Sequence, residues 1–165
     1  MLYAQLHLTL PAWVHEAVDT TRTYASDDDK VLLAIDLSRR NIEARTGGPF
    51  GAAVFGPDDR IIAVGVNRVL PQNCSLAHAE TMAYMLAQQR TQRSRLNESA
   101  PGEGAGPIVL ATSSQPCCQC YGATFWAGID ALLIGARSED VMRLTEFDEG
   151  PLPAAHVQEV ADLYG

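Results

Sequence analysis

Ile108-Val109-Leu110-Ala111-Thr112, then Ser113-Ser114-Gln115, then Pro116-Cys117-Cys118-Gln119-Cys120 is the stretch that decides the fold. The apolar run reads as a short buried strand and the polar residues as a turn. Pro116 marks the opening of a helix, because the N–H that proline lacks has no intrahelical partner there. Cys117 and Cys120 then lie about one turn apart on a helix running to Gly128. Upstream, Glu80 to Arg90 is rich in helix formers and free of Gly and Pro, which places His78-Ala79-Glu80 in the first turn of another helix. Both groups thus project from helix N-termini, where the macrodipole favours anions and lowers the pKa of a thiol.

Taken singly, His78 reads as a capping or core histidine, and the cysteine pair as thiols packed in a helix. Taken together they offer one imidazole, two thiols three residues apart and a carboxylate left over. Catalytic zinc takes three protein ligands and keeps a fourth position for water, so His78, Cys117 and Cys120 are expected to hold one Zn²⁺ per chain. With two thiolates and a neutral imidazole such a centre is formally neutral and acidifies water less than an all-histidine site does. Glu80 is therefore expected to move protons as the catalytic acid and base. Cys118 is one residue off the ligand face and is assigned to packing. Cys74, four residues before His78, is either near the metal or a buried structural thiol.

The rest of the chain reads as alternating α and β. After a loose N-terminal arm, Ser26 caps a helix from about Asp27 to Arg45 whose first turn carries Asp27, Asp28 and Asp29. Gly47-Gly48-Pro49 stops it. Gly51–Phe55 and Ile61–Val66, joined by Gly56-Pro57-Asp58-Asp59, form a hairpin. A strand at Ala131–Gly135 and a short helix capped by Ser138 follow the cysteine helix. Residues 91–107, with Gly102, Gly104 and Gly106, read as a mobile surface loop, because both of its flanks are needed for one metal site.

His-x-Glu combined with Pro-Cys-x-x-Cys resembles the signature of the zinc deaminases that act on nucleobases. The order of helix, hairpin, ligand helix, strand, ligand helix and strand resembles the cytidine deaminase-like fold over about residues 27–150. The resemblance implies a three-layer α/β/α domain around a mixed sheet of four to five strands, formed as a single unit by residues 1–165. It implies an N-terminal arm at 1–25 and a pocket-closing segment at 146–165. Because the family usually continues further, either the last strand is short or the chain is truncated. Tyr164 is a closing group or part of a frayed terminus.

Within that superfamily the chain is most similar to bacterial guanine deaminases. Asn67 stands eleven residues before His78, where those enzymes place a substrate-binding Asn; its other reading is an ordinary strand-end residue. Phe50 matches an aromatic that stacks on the purine and Trp126, six residues after Cys120, a pocket-wall aromatic; both also read as core residues. In Phe147-Asp148-Glu149-Gly150, Glu149 matches the acid that accepts the N–H donors of guanine, or else belongs to an acidic solvated loop. The N–H groups of Ala79 and Cys117 are candidates for further polar contacts. The implied reaction is guanine to xanthine and ammonia, with ammeline or cytosine as other amino-azine substrates and a transfer-RNA adenosine deaminase or a zinc-stabilised binding protein as rival readings.

Charge bears on the partners. The net charge is −8, and from Ser138 onward seven acids face Arg143 alone. Such a tail repels a polyanion and is indifferent to a neutral base, so no nucleic acid is expected. No run approaches the roughly 18 apolar residues of a membrane span. Four cysteines, three of them between Cys117 and Cys120, suit a metal site in a reducing cytoplasm better than a disulfide framework. A homodimer is implied by the family likeness.

Overall fold

The computed structural model describes residues 4–98 and 105–145. Two short helices and two long ones surround the first strands: α1 (Trp13–Ala17), α2 (Asp27–Glu43), β1 (Gly51–Phe55), β2 (Ile61–Val66), α3 (Val69–Gln72) and α4 (Ala79–Thr91). They are followed by β3 (Val109–Ser114), α5 (Cys118–Ala127), β4 (Ala131–Ala136) and α6 (Ser138–Leu144). The strands form one mixed sheet in the order β2-β1-β3-β4. β1 pairs antiparallel with β2 and β3, whereas β3 runs parallel to β4 with α5 as the crossover.

Every residue of β1 is buried, because helices cover both faces of the sheet. Ala53 and Phe55 point into a core shared with Ala34 and Leu37 of α2, Val64, Val66 and Ala111. Ala52 and Val54 point the other way, against Ala79, Ala83 and Ala87 of α4, Leu110, and Ala127 of α5. The result is the expected three-layer α/β/α sandwich with four strands. Ser26 caps α2 as expected, its hydroxyl accepting from the Asp29 N–H at 3.1 Å.

Five local expectations need correction, the first being that Ser113 and Ser114 belong to β3 and not to a turn, because the parallel pairing with β4 continues to Ser114. The N-terminal arm is not loose: it contains α1, and Val14 and Tyr24 are buried in the α2-side core, since their apolar area outweighs the entropy of ordering the arm. α2 ends at Glu43, short of Arg45, because Arg45 takes a left-handed φ of 55° and the Thr46 N–H turns back to the Asn41 carbonyl at 2.9 Å. Within residues 91–107, Leu96 is buried, and its N–H donates to the Ala127 carbonyl at 2.8 Å, so this part of the segment is anchored. Ser138 is the first helical residue and no cap; its own N–H is satisfied instead by the Gln115 side chain at 3.2 Å.

One close approach sets the depth of α4. A Cβ on Gly65 of β2 would lie 2.0 Å from the Ala79 carbonyl oxygen and 2.6 Å from the Ala83 nitrogen, both backbone atoms that cannot step aside. Gly122, inside α5, has nothing within 4 Å of where its Cβ would stand. Gly65→Ala is therefore expected to cost about 2 kcal/mol or more by forcing α4 off the sheet. Gly122→Ala is expected to gain about 0.5–1 kcal/mol from helix propensity. Urea denaturation of both variants should show opposite shifts of the midpoint.

Candidate metal centre and base-binding cleft

His78 and Cys117 are the N-cap residues of α4 and α5, with extended backbone angles (φ −69°, ψ 161° and φ −65°, ψ 172°). They thus stand just before the helices and not inside the first turn. Neither side chain caps its own helix. Instead they face one another: the Sγ of Cys117 lies 3.5 Å, and that of Cys120 3.4 Å, from Nδ1 of His78. All three donor atoms lie within 4.8 Å of one another. A tetrahedral zinc with bonds of about 2.0–2.3 Å needs its ligand atoms roughly 3.5 Å apart, so the donor set fits the ion in type and in spacing. Among the described residues no other group of His, Cys, Asp or Glu side chains forms such a cluster.

The two ligand helices are tied together beside the site. The Tyr84 hydroxyl of α4 and the Thr124 hydroxyl of α5 are 2.6 Å apart, and Thr124 donates to the Cys120 carbonyl at 2.8 Å. Thr124 has one proton, so Tyr84 is the donor of that pair. Burial pushes the Tyr84 hydroxyl pKa up, which keeps it protonated in that role.

The thiols are electrostatically unequal. A hydrogen bond from Cys120 holds the Cys117 thiol down at about 4 against the cost of burial, and His78 adds to the lowering. Cys120, as donor to Cys117 and buried beside Glu80, is pushed up. A dication held by both sulfurs would favour both thiolates.

Glu80 occupies the second position of α4 and is 5% exposed. Its Oε1 accepts from the Thr112 hydroxyl and its Oε2 lies beside the Cys120 sulfur, each at 3.3 Å. Desolvation raises its pKa. Ala79, at the first position of the same helix, is fully buried, and its N–H is one of the helix-start donors without an intrahelical acceptor.

Asn67 follows β2 and is nearly buried. Its Oδ1 accepts from the N–H groups of Val69 (3.2 Å) and Gly48 (3.4 Å), which fixes the amide's orientation and turns its NH₂ end away from them. Its own N–H donates to the Phe50 carbonyl at 3.1 Å. Phe50 is half-buried and borders a cleft of about 360 Å³ with Pro49, Ser113, Ser114 and Val141. Asn67 and Phe50 are thus brought to one end of the sheet, joined backbone to backbone.

Other expectations are redrawn. Trp126 does not join this cleft: it is 71% exposed and borders an apolar groove with Leu6, Leu76, Met85 and Ala123. Six residues after Cys120, it is rotated about 120° from the ligand face. Cys118 is exposed, not packed, and Cys74 is half-buried in that same groove and outside the ligand cluster. Glu149, Tyr164 and the pocket-closing segment lie outside the described residues. Thr112, whose hydroxyl holds the Glu80 carboxylate, was not among the candidates; a lone Thr near the end of a strand carries no signal in sequence.

Comparison with known proteins agrees with this geometry. Residues 25–136 match the model of the cytidine and deoxycytidylate deaminase zinc-binding region. The chain is 33% identical to a probable cytosine deaminase of Schizosaccharomyces pombe over 82% of its own length and 76% of that protein's. It is 35% identical to the guanine deaminase of Bacillus subtilis, over 65% of this chain and 62% of the relative. The solved structure of guanine deaminase from Nitrosomonas europaea superposes with a TM-score of 0.79 at 38% identity, covering 93% of this chain and 81% of that one. A match spanning both ligand helices and the sheet between them is what a shared zinc chemistry requires, and this chain belongs to the cytidine and deoxycytidylate deaminase zinc-binding family as a zinc-dependent aminohydrolase.

Proposed function

We propose that this protein hydrolyses guanine to xanthine and ammonia. The observation that carries the reading is the buried Glu80 carboxylate, 3.3 Å from Cys120 yet not needed among the three donors. Zinc on His78, Cys117 and Cys120 supplies the Lewis acidity that makes water a nucleophile near neutral pH. Glu80, with its pKa raised by burial, accepts the proton of the attacking water. It then returns that proton to a ring nitrogen, takes up the second water proton from the hydroxyl now on C2 and delivers it to the departing amino group. The water oxygen ends on C2 and the nitrogen leaves as ammonia, so atoms balance.

Phe50 stacks on the purine, and the NH₂ end of Asn67 donates to an acceptor of the ring. The Ala79 N–H adds a donor. The carboxylate of Glu149 accepts the N–H donors on the guanine edge; a cytosine presents an acceptor beside its amine and would be repelled. Similarity to a guanine deaminase over most of the chain supports guanine over cytosine. Trp126 is left out of the pocket on account of its exposure.

Residues 1–165 act as one deaminase domain, working in the cytoplasm as a homodimer without nucleic acid or membrane. No helix among the described residues is long and apolar enough to cross a membrane. Tyr121, Phe125 and Trp126 stand two-thirds or more uncovered on one helix, α5, which supports burial against a second copy.

Elemental analysis should find one zinc per chain, lost in Cys117→Ala plus Cys120→Ala; zinc retained by that variant would remove the assigned centre. Glu80→Gln should keep zinc and lower turnover at least about a hundredfold, the scale of general acid–base catalysis. If it loses zinc, Glu80 is a ligand. Ammonia release should be fastest from guanine in a panel with cytosine, adenine and ammeline. On guanine, Glu149→Gln should lower kcat/KM by about one to two decades at equal zinc content, since a charge-assisted bond is worth roughly 1.5–3 kcal/mol. An unaffected variant returns Glu149 to a solvated loop.

A further inference from the structure

Asn41 lies in the last turn of α2, in the layer opposite the ligand helices, and is completely buried. Its amide is fully used. One NH₂ group donates to the Gly48 carbonyl at 2.8 Å and to the Asn67 carbonyl at 3.0 Å, and its Oδ1 accepts from the Thr46 hydroxyl at 2.7 Å. Thr46 in turn accepts from Nε1 of Trp13 at 3.0 Å. Because Thr46 spends its only proton on Asn41 and Trp13 can only donate, the whole chain has a single hydrogen-bond direction, from α1 inward.

The two carbonyls that Asn41 grips belong to the two segments carrying Phe50 and Asn67. Gly48 also donates to Asn67 Oδ1, and its carbonyl accepts the Phe50 N–H at 2.9 Å. The grip is close: a Cβ on Gly47 would stand 1.8 Å from the Asn67 carbonyl oxygen and 2.7 Å from Asn41 Nδ2. No atom of Asn41 itself is part of the proposed base contacts.

We propose that Asn41, oriented by Thr46 and Trp13, is a positioning residue for base recognition that fixes the spacing between Phe50 and Asn67. The inference rests on the reading that these two residues contact the base. It places control of base affinity in α1 and α2, elements remote from the zinc ligands and from proton transfer. A misplacement of a positioning group by 1 Å can cost about a hundredfold, so a lost hydroxyl one step removed is expected to cost about tenfold.

The test uses the zinc-loaded full chain and guanine-dependent ammonia release. Thr46→Val removes the hydroxyl at constant shape, Thr46→Ser restores it, and Trp13→Phe removes only the indole donor. Thr46→Val should raise KM about tenfold while kcat stays within about threefold and zinc content is unchanged; Thr46→Ser should recover wild-type KM, and Trp13→Phe should fall between. In an Asn67→Ala background, Thr46→Val should change kcat/KM by less than about twofold, because its effect passes through Asn67. A lower melting temperature with unchanged KM, or a full effect without Asn67, overturns the proposal. Should wild type turn over no base, the functional reading fails by itself. The coupling is then read, as it is if Asn67→Ala is too slow to assay, from the side-chain amide NMR signals absent in Asn67→Ala. Those signals should move in Thr46→Val and return in Thr46→Ser, and unmoved signals overturn the coupling.

Discussion

The backbone of α4 lies directly on β2, at a separation that Gly65 permits, and the chemistry of the site follows from that contact. A larger residue at position 65 would lift the helix and carry His78 and Glu80 outward. Seated this deep, Glu80 is largely shielded from bulk water, and a carboxylate in such a place resists ionisation. The same seat brings the start of α4 level with the start of α5, so two helix N-termini point at one small volume. Their dipoles favour the negative charge that two thiols and a carboxylate concentrate there.

That concentration would be costly without a cation. Cys117 and Cys120 lie close together with their thiols shifted in opposite directions, and Glu80 sits against Cys120. A dication resolves the conflict for the sulfurs and leaves the carboxylate as the group free to exchange protons. Holding Glu80 by the Thr112 hydroxyl confines it to one place without tying up either oxygen completely. The economy of the centre lies in this division of labour between charge that is neutralised and charge that remains mobile.

The other layer of the sandwich has a different task. α2 seals the sheet from behind, but its last turn and the Thr46–Pro49 segment also brace the end of the sheet at which Asn67 and Phe50 stand. The short helix α1 is joined to that brace through Trp13. An arm that reads as loose in sequence is thus joined by hydrogen bonds to the residues bracing Asn67 and Phe50.

Much of this could be read from the chain alone. The spacing of His78, Glu80, Cys117 and Cys120, the strand and helix periodicities and the Ser26 cap are local signals, because ligand type, helical turn and capping chemistry are written in neighbouring residues. The hairpin boundaries and the ligand helices were legible for the same reason. What lay beyond reach depends on contacts between distant segments. Nothing near Asn41 announces that its amide will meet Asn67, and Thr112 gains meaning only where β3 passes under α4. Trp126 fitted a pocket by its offset from Cys120, yet helical rotation turns it to the outer groove. Sequence by itself determined the donor set and the order of elements, since these follow from residue type and short-range period, while the layering and the class of chemistry came through the family resemblance those motifs carry. Tertiary structure alone decided the depth of Glu80, the fixed amide of Asn67 and the exclusion of Trp126, since burial and side-chain direction arise only when separate elements pack.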